Sequence, residues 1–259
     1  MHGRNGKLGV IENMISISIV SHGQMALVKN LLNDLQKVSV TSSIEVLLTL
    51  NTLDEQVGLL FDYTFPISLI RNNHPLGFGA NHNQAFQSAR GKYFCVLNPD
   101  IRLENDPFRD LINCLANETV GIAAPMVLDV DGKVDDSARR FPNPIAILGK
   151  VFGLRFESTY VASQSNIYPD WVAGMFMLFR SETFEQINGF DERYFLYYED
   201  VDICARLTYA GKSIVLCPAS KVIHLAQRTS HRNLKYLRWH VTSMLRFFFS
   251  IAYWRLVWR

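Results

Sequence analysis

A chain of 259 residues, 48% of them hydrophobic and 19% charged, can bury a sizeable core, which excludes a disordered polymer and fits one large α/β domain, alone or with an appendage. The net charge of +2 hides an asymmetry, because ten Lys or Arg and no acidic residue follow Asp202, leaving −8 on the remainder. So basic a C-terminal segment points to an anionic partner, nucleic acid or a membrane surface being the usual ones.

The first thirteen residues, MHGRNGKLGVIEN, lack the apolar run of a signal peptide and read as a flexible leader, with Met14 as a possible natural start. MISISIVSHG (14–23) reads as a buried strand ending in a small polar loop. MALVKNLLNDLQ follows as a helix with apolar positions at Leu27, Leu31, Leu32 and Leu35. IEVLLTLN, FPISLIRNN and KYFCVLNPD are three further strands, the last two separated by ANHNQAFQSAR, a helix with an Asn-rich first turn. Strands alternating with helices predict a mostly parallel sheet covered on both faces. Ligands bind such sheets beyond the carboxyl ends of the strands, where SHG, LNPD and the Gly-rich loop fall. Cys95, Cys114, Cys204 and Cys217 form no C-x-x-C pair, so neither a zinc site nor a disulfide framework is indicated, and a reduced, cytosolic setting is expected.

The loop HPLGFGANHNQAF places Gly77 and Gly79 in a G-x-G, but His82 stands where a dinucleotide fingerprint has its third glycine, and the loop follows the third strand instead of the first. It reads as a turn feeding a helix, or as helix-start N–H groups facing a phosphate or sugar. In CVLNPDI, Asn98-Pro99-Asp100 is either an ordinary turn or the place where Asp100 binds Mg²⁺ or Mn²⁺ on a diphosphate, hard cations preferring oxygen ligands. FDERYFLYYEDVDICARL then gathers Asp191, Glu192, Glu199, Asp200 and Asp202 among apolar residues. Asp202 stands four residues before Arg206, which suits a helix-starting carboxylate with an ion pair.

The order NPD, W-V-A-G, GFDERYF, YEDVDICARL, AGKSIVLCP and a closing IHL resembles the inverting family 2 glycosyltransferases of GT-A fold, especially their bacterial rhamnosyltransferase branch. That resemblance implies a GT-A (Rossmann-like) domain over residues 14–226, with a mostly parallel central sheet, between the leader and a basic amphipathic helical tail at 227–259. It implies Asp200 as the base, Glu199 beside it in a catalytic, acceptor-holding or hydrogen-bonding role, and Asp100 and His224 as ligands of a divalent cation. Ser21, His22, Gly77, Gly79 and Asn98 fall on the donor side. Trp171, Gly174 and Asp191 fall on the acceptor or sugar side, although a core Trp, a turn Gly and a loop-ordering Asp account for the same residues. Family members usually carry an acidic residue after the second strand, where Leu50 and Asn51 stand here and Asp54 comes late, leaving the nucleotide open. The implied reaction moves L-rhamnose from dTDP-L-rhamnose to a lipid-linked saccharide in surface polysaccharide assembly. UDP-galactofuranose or UDP-GlcNAc is the alternative donor. A non-catalytic, membrane-associated sugar-nucleotide binder is the rival of another class.

In the tail HRNLKYLRWHVTSMLRFFFSIAYWRLVWR, the residues Leu234, Leu237, Val241, Leu245, Phe248 and Ala252 recur at helical spacing among arginines. Its longest uncharged run after Arg246, FFFSIAYW, falls far short of the roughly 20 residues a spanning helix needs. Two readings remain: a helix packed on the catalytic domain or a dimer partner, and an amphipathic helix lying on the inner face of the cell membrane. No recognition motif accompanies the charge, so nucleic acid is not expected.

Overall fold

The computed structural model describes residues 11–38, 43–53, 63–144, 165–225 and 234–258. β1 (Ile11–Ser21) explains much of the layering: its alternation sends Ile15, Ile17 and Ile19 to one face and Ser16 and Ser18 to the other, all fully buried. Onto the Ile face α1 (Met25–Val38) lays Val28, Leu31, Leu32 and Leu35, while Leu27 of the expected stripe stays partly exposed. On the Ser face, Ser16 Oγ donates to Glu45 at 2.6 Å, and Ser18 Oγ meets His82 Nδ1 of α2 (Phe78–Phe86) at 2.8 Å. β1 begins at Ile11, inside the expected leader, because β4 offers it a partner in the pairing Ile11↔Gly91.

The remaining strands are β2 (Ile44–Leu50), β3 (Ile67–Arg71), β4 (Gly91–Leu97), β5 (Ile101–Arg102), β6 (Val120–Leu128), β7 (Ala138–Arg139), β8 (Trp171–Val172), β9 (Phe176–Arg180) and β10 (Ser213–His224). Eight of the strands form one sheet in the order β3-β2-β1-β4-β9-β6-β10-β5. It is parallel from β3 through β4 and between β6 and β10, with β9 and β5 antiparallel. β7 and β8 make a separate antiparallel ribbon. α1 and α3 (Phe108–Leu115) cover one face of the sheet, and α2, α4 (Ser181–Gln186) and α5 (Glu199–Tyr209) cover the other.

The tail forms two helices, α6 (Leu234–Phe248) and α7 (Ile251–Val257), with a break at which Ser250 caps α7 by accepting from the Tyr253 amide at 3.1 Å. Phe247 and Ala252 pack against Tyr194, Tyr198, Val201 and Ala205, making a third core under the hairpin. Leu234, Leu237, Val241 and Leu245 remain exposed, so the expected stripe divides between packing and solvent. Among the described residues no helix is long and apolar enough to cross a membrane.

Candidate functional site

Asp200 stands in the first turn of α5, and the chain reaches it through two non-glycine residues in the left-handed region, Tyr197 (φ 69°) and Tyr198 (φ 67°). Such conformations cost roughly 1–2 kcal/mol each and persist only when the surroundings enforce them. Here α6 does so: Ser243 Oγ donates to the Leu196 carbonyl at 2.9 Å, and His240 lies edge-on to both tyrosines. Asp200 Oδ1 accepts from its neighbour's amide, Val201 N, at 2.8 Å, and Oδ2 from Gly174 N at 3.2 Å. Desolvation raises its pKa above the ordinary carboxylate value against the pull of those amides and of Arg139. Glu199 is buried with Oε2 unpartnered among the described residues, and burial, then the Asp200 charge, pushes its carboxyl well above the usual range. Of the two, Glu199 is pushed up the further.

The second acidic centre lies where β4 ends and β10 closes. His224 Nε2 is 3.4 Å from Asp100 Oδ2, and His224 Nδ1 is 3.0 Å from Asp135 Oδ2. Asp100, then Asp135, raises the imidazole pKa to about 8 despite its burial. Asp100 Oδ1 is buried with no partner among the described residues. One loop joins this centre to Asp200. The Asn98 amide donates to the Met175 carbonyl at 2.9 Å, one residue from the Gly174 amide that holds Asp200. The Ala173 amide donates to the Ser137 carbonyl, two residues on from Asp135. Trp171, in the same ribbon, donates its indole N–H to the Arg140 carbonyl at 2.9 Å and carries the Arg139 guanidinium 5.4 Å from its ring centre. A Cβ on Gly174 would sit 3.1 Å from the tip of Phe78 and 3.7 Å from Asp200 Cβ, so a larger residue there would crowd the site. Asp100, Asn98, His224, Trp171, Gly174, Glu199 and Asp200 are thus tied together by the β7–β8 ribbon and the loop that follows it.

On the opposite flank, Ser21 Oγ accepts from the Gln24 amide at 3.1 Å and His22 is exposed beside Asn51. Asn51 is fully buried: its Oδ1 accepts from Leu76 N (2.8 Å) and Asn72 Nδ2 (2.7 Å), while its Nδ2 donates to the Leu76 carbonyl (2.9 Å). Asn72 donates also to Asn81 at 2.7 Å, so three asparagines hold the 72–77 loop, and an aspartate at position 51 would forfeit the donated bonds. Gly77 and Gly79 are required by packing. A Cβ on Gly77 would meet Phe195 Cα and O at 2.8 Å, and one on Gly79 would meet Phe190 Cβ at 2.6 Å. Asp54 lies outside the described residues. Asp191 is bound by Arg193, whose amide and guanidinium both donate to it, the loop-ordering arrangement, and it lines a cavity with Asp202 instead of joining Gly174 and Asp200.

This arrangement has known counterparts. A profile described as "Glycosyltransferase like family 2" matches residues 13–242. The chain belongs to glycosyltransferase family 2. The enzyme is 32% identical over 254 residues, 90% of this chain and 92% of the relative, to Rhamnosyltransferase WbbL of Escherichia coli (strain K12). It is 34% identical over 149 residues to N-acetylglucosaminyl-diphospho-decaprenol L-rhamnosyltransferase of Mycobacterium tuberculosis, covering 53% of this chain and 48% of that one. Among solved structures it is similar to GalNAc-T7 with UDP, GalNAc and Mn²⁺ (TM-score 0.68, 13% identity, 92% of this chain and 48% of that one). It is similar also to the mannosyltransferase PcManGT from Pyrobaculum calidifontis in complex with GDP-Man and Mn²⁺ (TM-score 0.63, 14% identity, 91% of this chain and 65% of that one). Identities so low carry the fold, and the fold is GT-A.

Several residues of this glycosyltransferase's site escape sequence reasoning. Asp135 pairs with His224 from 89 positions away, and its only local signal is the run of acids in DVDGKVDD. Arg139 carries a buried Nε without a partner among the described residues, beside Trp171, and is near enough to lower the Asp200 pKa. Tyr197, Tyr198 and Ser243 have no local signal, since the strain and the clamp arise only when α6 packs across the turn.

Proposed function

We propose that the enzyme is an inverting transferase that moves L-rhamnose from dTDP-L-rhamnose to a lipid-linked saccharide at the cytoplasmic face of the membrane during surface polysaccharide assembly. The observation that carries the chemistry is Asp200: a partly buried carboxylate, fixed by two amides, with its pKa raised by desolvation above the ordinary carboxylate value. In an inverting transfer Asp200 takes the proton of the acceptor hydroxyl as that oxygen attacks the anomeric carbon, and the nucleoside diphosphate leaves from the opposite face. Glu199, held protonated behind it, keeps a second negative charge out of the site.

Asp100 and His224 suit a divalent cation, Mg²⁺ or Mn²⁺: among the described residues Asp100 keeps one buried carboxylate oxygen without a partner, and the imidazole Nε2 of His224, a borderline donor, lies 3.4 Å from its other oxygen, with Asp135 orienting the ring from Nδ1. No group of three or more His, Cys, Asp or Glu among the described residues forms a metal cage. When bound, such an ion supplies charge neutralisation to the leaving diphosphate. Rhamnose as the sugar is supported by the relatives named as rhamnosyltransferases. The membrane setting is supported by the exposed apolar residues of α6 and the basic tail. Asn51, standing where an acidic residue is usual after the second strand, leaves the base open, so a UDP-sugar such as UDP-galactofuranose or UDP-GlcNAc is the second reading of the donor. Thermal protection decides between them: dTDP-L-rhamnose with Mn²⁺ raises the unfolding temperature and the UDP-sugars do not. Protection by a UDP-sugar alone would overturn the rhamnose reading.

A further inference from the structure

A cavity of about 740 Å³ opens between α5, the turn ahead of it and the α6–α7 hairpin. From α5 it is lined by Asp202, Arg206 and Tyr209, one helical face that lies about 200° around the axis from Asp200, so it is separate from the transfer site. Arg206 is consumed by Asp202 and by the carbonyls of Ile187 and Gly189, and Arg193 by Asp191. Arg246 and Arg255, which also line the cavity, have no carboxylate partner among the described residues. Each rests against a tyrosine, Arg246 at 5.9 Å from the Tyr194 ring centre and Arg255 at 4.3 Å from that of Tyr209, contacts that steady the guanidinium and leave its N–H groups available. The rim is the α6–α7 turn, where Phe249 and Ile251 are largely exposed, and the apolar surface continues along α7 through Trp254, Val257 and Trp258.

Two spare guanidiniums beneath an exposed apolar rim match an amphiphile with an anionic head. We propose that the cavity seats the phosphate of an anionic membrane phospholipid, with the acyl chains against Phe249, Ile251 and the outer face of α7. Guanidinium forks bind phosphate oxygens in pairs. A second copy of the chain fits less well, because a two-fold contact would bring this cationic face against itself. The proposal deepens the reading that the enzyme works on a lipid surface and rests on it.

The test is co-sedimentation of the full chain with phosphatidylcholine vesicles, with and without phosphatidylglycerol, comparing R246Q/R255Q with K235Q/R238Q. The second pair removes the same charge from exposed positions of α6 outside the cavity. Generic attraction to the surface is worth about fivefold per cation wherever it sits. A built site makes R246Q/R255Q weaker than the matched pair by a further factor of about ten. Thr242→Glu, which puts a carboxylate into the cavity and leaves both arginines in place, should weaken binding in the same way, and unfolding temperatures close to that of the parent show that each variant is folded. Equal losses in the two double variants overturn the cavity and leave the membrane reading standing. No binding of the parent chain to anionic vesicles overturns both. A change of oligomeric state in R246Q/R255Q without a change in vesicle binding assigns the cavity to a protein contact and also overturns the proposal.

Discussion

The two faces of α5 carry similar carboxylates to opposite ends. Asp202 is buried and answered: Arg206 binds it at 2.7 Å and spends its remaining N–H groups on the carbonyls of Ile187 and Gly189, which ties the helix to the turn before it. Asp200, two residues earlier, accepts only from backbone amides and meets no cation at ion-pair distance among the described residues. Both carboxyls are pushed upward by burial, and what separates them is whether a partner holds the charge. An answered carboxylate stabilises the fold; one held in shape without a counter-charge is free to exchange a proton.

Asp200→Asn breaks the reactive face with the largest effect. Turnover should fall by about 10²-fold or more, with donor affinity and unfolding temperature close to those of the parent, measured by initial rates and thermal shift. Near-normal turnover would move the base elsewhere. On the structural face, Asp202→Asn strands Arg206 and should remove about 2 kcal/mol of stability in urea unfolding while the folded enzyme keeps its turnover. A loss of turnover without a loss of stability would erase the distinction between the faces. Ser243→Ala tests the clamp on the turn between them, with an expected loss of about 1 kcal/mol and a lower kcat as the 196–198 turn loosens. Unchanged kcat would show that α6 does not position the base.

The smallest effect is expected from Glu199→Gln. Because the folded carboxyl holds its proton well above the ordinary value of 4.5, the folded state binds more protons than the unfolded one, and Glu199 lowers stability increasingly as pH rises above that value. Glutamine mimics the protonated side chain. The variant should therefore keep near-parental turnover and gain stability relative to the parent at pH 8 more than at pH 5. A large fall in turnover would make Glu199 an ionised participant.

Much of this was legible along the chain. The 3.6-residue spacing in α1, the apolar runs of β2 and β4 and the i,i+4 ion pair of Asp202 with Arg206 are local patterns, and the structure carries them, with Val28 in place of Leu27 on the buried stripe of α1. The divided tail was less legible, because a helical stripe shows that one face is apolar without showing what covers it: Phe247 and Ala252 found the turn before α5, whereas Leu234, Leu237, Val241 and Leu245 are exposed. The G-x-G pair reads as a turn feeding a helix or as amides facing a ligand, and what forbids side chains there is Phe195 and Phe190 from a distant turn.

By itself, then, the sequence determined the layers, the βα rhythm and the residue types available for acid–base and metal chemistry, since periodicity and composition act over a few residues. Only the tertiary structure decided what each carboxylate does. Its role depends on which group answers it, and those groups come from far along the chain, Gly174 to Asp200 across 26 positions and Asp135 to His224 across 89.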